Sequence, residues 1–226
     1  MTPSASSPDP AAPAPEPAPE ALRVEGLPRA ARAAASTALA RAFYHDPMFV
    51  YLLPEAKTRG GNLRWFLAHG LNVGHLFGRT ETVLLDGQPV GAAVWVRPGQ
   101  TDLRPLQMLR AGFGALPIRF GLGGVRRFAS LAESTEAAHH LAVPEPHWYL
   151  LILGVDPARQ RAGVGGALIR HGTARADADG VPCYLETMNE ANLPFYHRAG
   201  FRVVHEAAVP GGGLRVWALR RIAGGG

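Results

Sequence analysis

Residues 154–166 read Gly154-Val155-Asp156-Pro157-Ala158-Arg159-Gln160-Arg161-Ala162-Gly163-Val164-Gly165-Gly166 and follow an apolar stretch. The pattern is a strand end feeding a turn whose glycines let backbone approach a ligand closely, and the turn opens a helix. The first N–H groups of a helix have no partner within it and lie at the positive end of its dipole, so such a turn attracts anions. Arg159 and Arg161 add charge. An ordinary strand-to-helix turn carries the same glycines, so the segment alone leaves phosphate binding and plain turn both open. Downstream, Asn192 and Tyr196 lie four residues apart and share one helix face. The Tyr196 phenol suits a general acid, or a core aromatic with its hydroxyl satisfied. Glu186 stands near the end of a short apolar strand, where burial raises a carboxyl toward the working range of a base. A structural carboxylate bonded to backbone or to an arginine is the equal alternative.

Other chemistries fail on their residues. A dinucleotide fingerprint needs glycine where Leu168 stands, and a P-loop needs Gly-Lys-Ser/Thr, whereas the sole lysine lies in Ala56-Lys57-Thr58. No Gly-x-Ser-x-Gly elbow occurs, since the serines beyond the first twenty residues are Ser36, Ser130 and Ser134. His139-His140 lacks metal-ligand spacing and reads as a helix end. Cys183, the one cysteine, falls mid-strand and reads as a packing residue. No metal is expected.

Elements must position these groups. Leu22 to Val24 suits a short first strand, and Ala31, Ala35, Ala38, Leu39 and Ala42 follow at helical spacing until His45-Asp46-Pro47 stops the helix. Leu63, Phe66, Leu67, Gly70, Leu71 and Gly74 mark a second helix face. A hairpin of residues 82–86 and 90–96 turns at Gly87-Gln88. Residues 98–142 form an insert of helices and loops, with a helical run from about Val125 to Leu141, placed over a pocket or as packing cover. A strand at 147–155, a helix at 164–178, a strand at 183–187, a short helix at 192–199 and a hairpin of 201–209 with 214–220 complete the chain. The order β-α-α-β-β-(insert)-β-α-β-α-β-β describes an α/β (α+β) domain with one central, mixed, mostly antiparallel sheet and helices on both faces.

The chain has 226 residues, 47% hydrophobic and 18% charged, a globular composition. The longest uncharged apolar stretch, residues 148–155, has eight residues, well short of the ~18 a membrane helix needs. Residues 1–20 hold seven prolines, three acids and no base; they read as a disordered tail rather than a secretory leader, leaving residues 21–226 as one domain. The net charge of +5 becomes +8 without those three acids. Such a balance attracts polyanions, either nucleic acid or a phosphorylated cofactor, but no nucleic-acid-binding signature accompanies it. A cytoplasmic location follows as the default from the single cysteine. No nucleic-acid or membrane partner is expected, and a monomer or a homodimer are equally open.

Two separated segments then meet a known family in the right order. Gln160-Arg161-Ala162-Gly163-Val164-Gly165 resembles the acetyl-CoA pyrophosphate loop of the GNAT acetyltransferases, with a strand before it and a helix after it. Asn192-Leu193-Pro194-Phe195-Tyr196-His197-Arg198-Ala199-Gly200-Phe201 resembles the family's C-terminal signature. More narrowly, Glu145-Pro146-His147-Trp148-Tyr149-Leu150, Leu185-Glu186-Thr187 and Leu193-Pro194-Phe195-Tyr196 resemble the puromycin N-acetyltransferase branch. The likeness is specific from about 144 to 221, looser over 22–97 and weak across the insert. It implies a GNAT fold, with Leu153, Gly154 and Val155 beside the pantetheine arm of acetyl-CoA and Asn192 contacting that arm. Gln160, Arg161, Ala162, Gly163, Val164, Gly165 and Gly166 would surround the pyrophosphate, and a backbone N–H near Val155 would polarise the thioester carbonyl. Tyr196 would protonate the leaving thiolate. Many members place a glutamate in the preceding strand; here the roughly aligned residue is Tyr149, which leaves Glu186 as the nearest base, with a water chain past the His147 and Tyr149 strand as a variant of that route. The acceptor side would draw on Tyr44, Trp148 and Tyr149, with His45, Phe113 and Phe120 as further candidates, and the puromycin-like residues imply a bulky, partly aromatic small-molecule amine. The alternatives are a protein lysine or N-terminal acetyltransferase and a non-catalytic acetyl-CoA sensor.

Overall fold

A computed structural model describes residues 22–211 and 213–225; the tail expected at 1–20 lies outside them. Seven strands form one sheet: β1 (Val24–Gly26), β2 (Gly78–Leu85), β3 (Gln88–Val96), β4 (Trp148–Val155), β5 (Cys183–Thr187), β6 (Arg202–Val209) and β7 (Leu214–Arg221). Their spatial order is β1-β2-β3-β4-β5-β7-β6. Every adjacent pair is antiparallel except β4 with β5, which run parallel. The helices are α1 (Arg32–Ala42), α2 (Pro47–Leu52), α3 (Ala56–Phe77), α4 (Pro105–Ala111), α5 (Leu116–Ala142), α6 (Val164–Asp179) and α7 (Leu193–Arg198).

Apolar spacing decides which face each helix covers. Leu168, Ile169, Gly172 and Ala176 recur at helical intervals on α6 and are buried against Trp95, Leu150 and Leu185 on one side of the sheet. Gly172 meets the indole of Trp95 so closely that a Cβ there would lie 2.1 Å from the ring. On the other side, Leu39 of α1 and Leu63, Leu67 and Leu71 of α3 pack on Ala92, Val94 and Val96. Among the described residues, no helix is long and apolar enough to cross a membrane.

Three local differences from the expected elements have physical causes. The β2–β3 hairpin turns at Asp86-Gly87, both at positive φ (52° and 71°), rather than at Gly87-Gln88. Two successive residues of that kind match the strand twist, and Asp-Gly is a favoured pair for it. His45-Asp46-Pro47 does stop α1, but it also starts α2: the Asp46 side chain accepts from Met48 N (3.0 Å) and Pro47 occupies the first turn. In the insert, α5 begins at Leu116 rather than near Val125. It is broken at Gly121, whose φ of 64° and ψ of 175° are not helical.

Candidate active site

Strand β4 positions the site through two irregularities. Its register with β3 jumps from Val94↔Ile152 to Trp95↔Leu150, so Leu151 is the extra residue of a bulge. Against β5 it pairs at only two positions, Trp148↔Cys183 and Tyr149↔Tyr184. Beyond them the two parallel strands part, and the β4 edge from Leu150 onward faces a gap.

At the end of β4 the glycine loop is fixed by side chains. Asp156 accepts from Ala158 N (3.1 Å) and from the Arg41 guanidinium (Nε, 3.0 Å). Burial opposes ionisation of Asp156, but Arg41, the Ala158 N–H and Arg159 outweigh it and hold the carboxyl below its ordinary range. Gln160 Nε2 donates back to the Val155 carbonyl (3.2 Å). Arg161 and Gly163 take positive φ (65° and 80°), which turns the chain into α6. Helix α6 starts with no side-chain cap, and Val164 is buried in the core. A Cβ at Gly165 would meet Phe195 and Val155 at an ordinary 3.6 Å, so the chain's own packing does not require glycine there. Uncapped N–H groups, a glycine without an internal steric reason, and the flanking Arg159 and Arg161 fit a pyrophosphate. The gap beside β4 fits an extended arm that pairs with backbone.

The gap opens into a cavity of about 560 Å³. Phe43, Met48, Phe49, Phe66, Phe113 and Phe128 supply its apolar wall, and the insert helices roof it. Tyr149, Leu153, Glu186, Asn192 and Tyr196 are among the residues that line it. Burial pushes the Glu186 carboxyl up to about 7, against the neighbouring phenols of Tyr149 and Tyr184, which favour its charged form. Tyr149 is held well above the ordinary phenol range by burial and then by Glu186. Tyr196 is buried, and burial followed by the charge of Asp46 keeps its phenol protonated. The cavity lining therefore holds an acid that ionises near neutrality and a phenol that retains its proton.

Several expected residues stand elsewhere. Trp148 does not reach the cavity: alternation along β4 turns it to the α6 side, where its Nε1 donates to Asp179 (2.8 Å) and Arg175 lies over its ring. Tyr44 is also outside, donating to the Ala56 carbonyl (3.1 Å) beside a separate shallow groove that includes His45. Phe113 lines the cavity, whereas Phe120 packs behind it on Trp65 and Phe66. A Cβ on Gly154 would strike Leu39 and Phe43 at 2.6 and 2.8 Å, so that glycine serves the packing of α1. Burial pushes the Cys183 thiol up to about 12, consistent with a packing residue.

Two cavity residues carried no signal in the sequence reading. Asp46 has its ionisation resisted by burial although the Met48 and Phe49 N–H groups favour it; the only local cue was the Asp-Pro helix start. His139 sits on the roof helix with its ring stacked on Tyr184 (centroids 4.3 Å, planes 10° apart) and its Nε2 2.7 Å from Nε2 of His147. No local pattern links residues on different elements in that way.

Comparison with known proteins bears on the family and the fold. The model of the Acetyltransferase (GNAT) family matches residues 38–201. An uncharacterized N-acetyltransferase of Schizosaccharomyces pombe is 27% identical over 172 residues, covering 74% of this chain and 69% of that protein. Among solved structures, a histone acetyltransferase HPA2 and related acetyltransferase from Corynebacterium glutamicum superposes with a TM-score of 0.64 at 24% identity, covering 89% of this chain and 96% of that one. Arylalkylamine N-acetyltransferase 2 from Aedes aegypti gives 0.58 at 14% identity, covering 90% and 100%. At those identities the structural likeness establishes the fold. With more than half its length matched by the family model, the chain belongs to the GNAT acetyltransferase family and is an acetyl-CoA-dependent acyltransferase.

Proposed function

We propose that this acetyltransferase moves the acetyl group of acetyl-CoA to the amine of a small molecule by direct attack in a ternary complex. The observation that carries the reading is the roofed cavity, which brings Glu186, Tyr149, Asn192 and Tyr196 to the gap beside β4. Acetyl-CoA supplies an activated thioester. Arg161, Ala162, Gly163, Val164, Gly165 and Gly166 hold its pyrophosphate through backbone N–H groups, and Gln160 keeps that loop closed on Val155. Leu153, Gly154 and Val155 present the backbone edge beside the pantetheine arm, and Asn192 contacts it. A backbone N–H near Val155 stabilises negative charge growing on the carbonyl oxygen.

A protonated amine has no lone pair to attack with. Glu186, ionised above about pH 7, takes that proton, with Tyr149 beside it orienting the carboxylate. Tyr196 gives its proton to the departing thiolate. The apolar wall of Phe43, Phe49, Phe66, Phe113 and Phe128 supports an acceptor with a bulky, partly aromatic body, as the puromycin-branch residues imply. The insert helices line one side of the cavity, which suits a compact acceptor better than an extended protein segment.

The test is release of free CoA thiol across a panel holding puromycin, arylalkylamines, linear polyamines and an alanine-starting peptide. Turnover led by the aromatic small amines supports the reading. Turnover led by the peptide overturns the small-molecule class, and tight acetyl-CoA binding without turnover of any amine favours a sensor.

A further inference from the structure

The base of the proposed reaction has neighbours whose arrangement that reaction does not use. His147, buried at the start of β4, lies with Nδ1 2.7 Å from the Glu145 carbonyl, so Nδ1 carries the proton and donates. Its Nε2 is then a lone pair, and the 2.7 Å contact from His139 requires His139 Nε2–H to donate to it. The imidazole of α5 is thereby fixed in one tautomer and one plane. That plane lies flat on Tyr184, with centroids 4.3 Å apart. Tyr184 is buried, its hydroxyl has no hydrogen-bond partner among the described residues, and it lies two residues before Glu186 on the same face of β5, where its phenol favours the charged carboxyl. A line of contacts thus runs from the Glu145 carbonyl through His147 and His139 to the Tyr184 ring, which shares a face of β5 with Glu186.

We propose that His139 is a positioning residue: anchored by His147, it holds the Tyr184 phenol where that phenol bears on Glu186. The inference rests on Glu186 being the base. His139 and His147 are both neutral at working pH, because burial lowers each; His139 lies near 4, with His147 and His140 lowering it further and Asp102 opposing. Glu145, Arg220 and Asp102 are the other charges bearing on His147. Burial favours the neutral form of both rings, so His139 acts by geometry rather than by exchanging protons.

The test follows the ¹³C resonance of the Glu186 side-chain carboxyl against pH, identified by its absence in Glu186→Gln, so it requires no acceptor amine. A midpoint near 7 is expected in the wild type. Tyr184→Phe removes a donor that favours the carboxylate, and raises the midpoint by about half to one pH unit. His139→Ala raises it by a similar amount, and adding Tyr184→Phe to His139→Ala moves it no further. His139→Phe, which keeps a flat ring against Tyr184, returns it to the wild-type value. An unmoved midpoint in His139→Ala, or an additive double variant, overturns the positioning role, as does an equal shift from Ala and Phe. Folding of each variant is checked by its acetyl-CoA-dependent melting temperature; a His139 needed only for stability would lower that temperature and leave the midpoint in place. Full acetyl transfer by Glu186→Gln would overturn the base reading and with it any catalytic meaning of His139, whatever the midpoints do.

Discussion

Glu186 is an acid whose ionisation the fold resists, and that has opposite consequences for activity and for stability. As a base it must be charged, so kcat/KM is expected to fall as pH drops through about 7. For stability the sign reverses: with its folded pKa raised from the ordinary carboxyl value of 4.5 to about 7, the native state binds more protons than the unfolded chain between those pH values. Stability therefore declines as pH rises through that window and stays lower above it, by on the order of 3 kcal/mol. Glu186→Gln should consequently be more stable than wild type at pH 8 in urea unfolding, yet turn over at least about a hundredfold more slowly. A variant that loses stability at pH 8 would show the carboxylate to be structural. Tyr196 separates from Glu186 by the limb it affects. Its phenol is held protonated by burial and Asp46, so Tyr196→Phe should lower kcat at every pH without moving the acidic limb, which a pH–rate comparison would reveal. His139 and His147 each favour the fold in the neutral form. Both are depressed below 6.5, so the stability of the neutral pair is complete above 6.5 and is lost as pH falls toward 4.

At the level of elements, the two glycines that open α6 do different work. Gly163 is fixed by its φ of 80°, so any side chain there is strained with or without ligand. Gly165 has ordinary room toward its own protein. Gly165→Ala should therefore leave the melting temperature unchanged or slightly raised while weakening acetyl-CoA about tenfold or more, as read by calorimetric titration. Unchanged affinity would remove the pyrophosphate from this helix end. Two turns further along α6, Gly172→Ala presses on the Trp95 indole and should reduce stability by about 1–3 kcal/mol in denaturant unfolding. Strand and helix periodicity made the sheet and both long helix faces legible, because each alternation of 2 or 3.6 residues is local. The loop at 160–166 and the Asn192–Tyr196 face were legible for the same reason. Tyr44 and Trp148 were misplaced because aromatic type says nothing of direction; alternation along β4 already forbade Trp148 and Tyr149 from sharing a side. The Asp46 helix cap has only the Asp-Pro pair as a local cue, and the His139–His147 contact has none, because it joins a roof helix to a strand start through tertiary packing alone.

For the whole molecule, ligand binding and folding are linked. Acetyl-CoA at a hundredfold excess over its dissociation constant should stabilise the native state by ~2.7 kcal/mol, seen as a raised melting temperature that ATP and NADH do not reproduce. The cavity's lining includes Asp46, Asp102, Glu136 and Glu186 but only one arginine, Arg104, in a chain of formal net charge +5. An acidic recess in a basic surface concentrates cationic amines and leaves the surrounding arginines to the anionic donor. The short parallel ladder between β4 and β5 has a consequence for motion. It divides the sheet into a panel of β1 to β4 and a panel of β5, β7 and β6, joined edge to edge at Trp148↔Cys183 and Tyr149↔Tyr184. Such a joint behaves as a hinge: the panels are free to breathe apart at the open end while staying latched at the other. A pantetheine arm laced along β4 would act as a temporary strand that stiffens the hinge, slowing hydrogen–deuterium exchange along 150–155 and leaving the β2–β3 hairpin as it was.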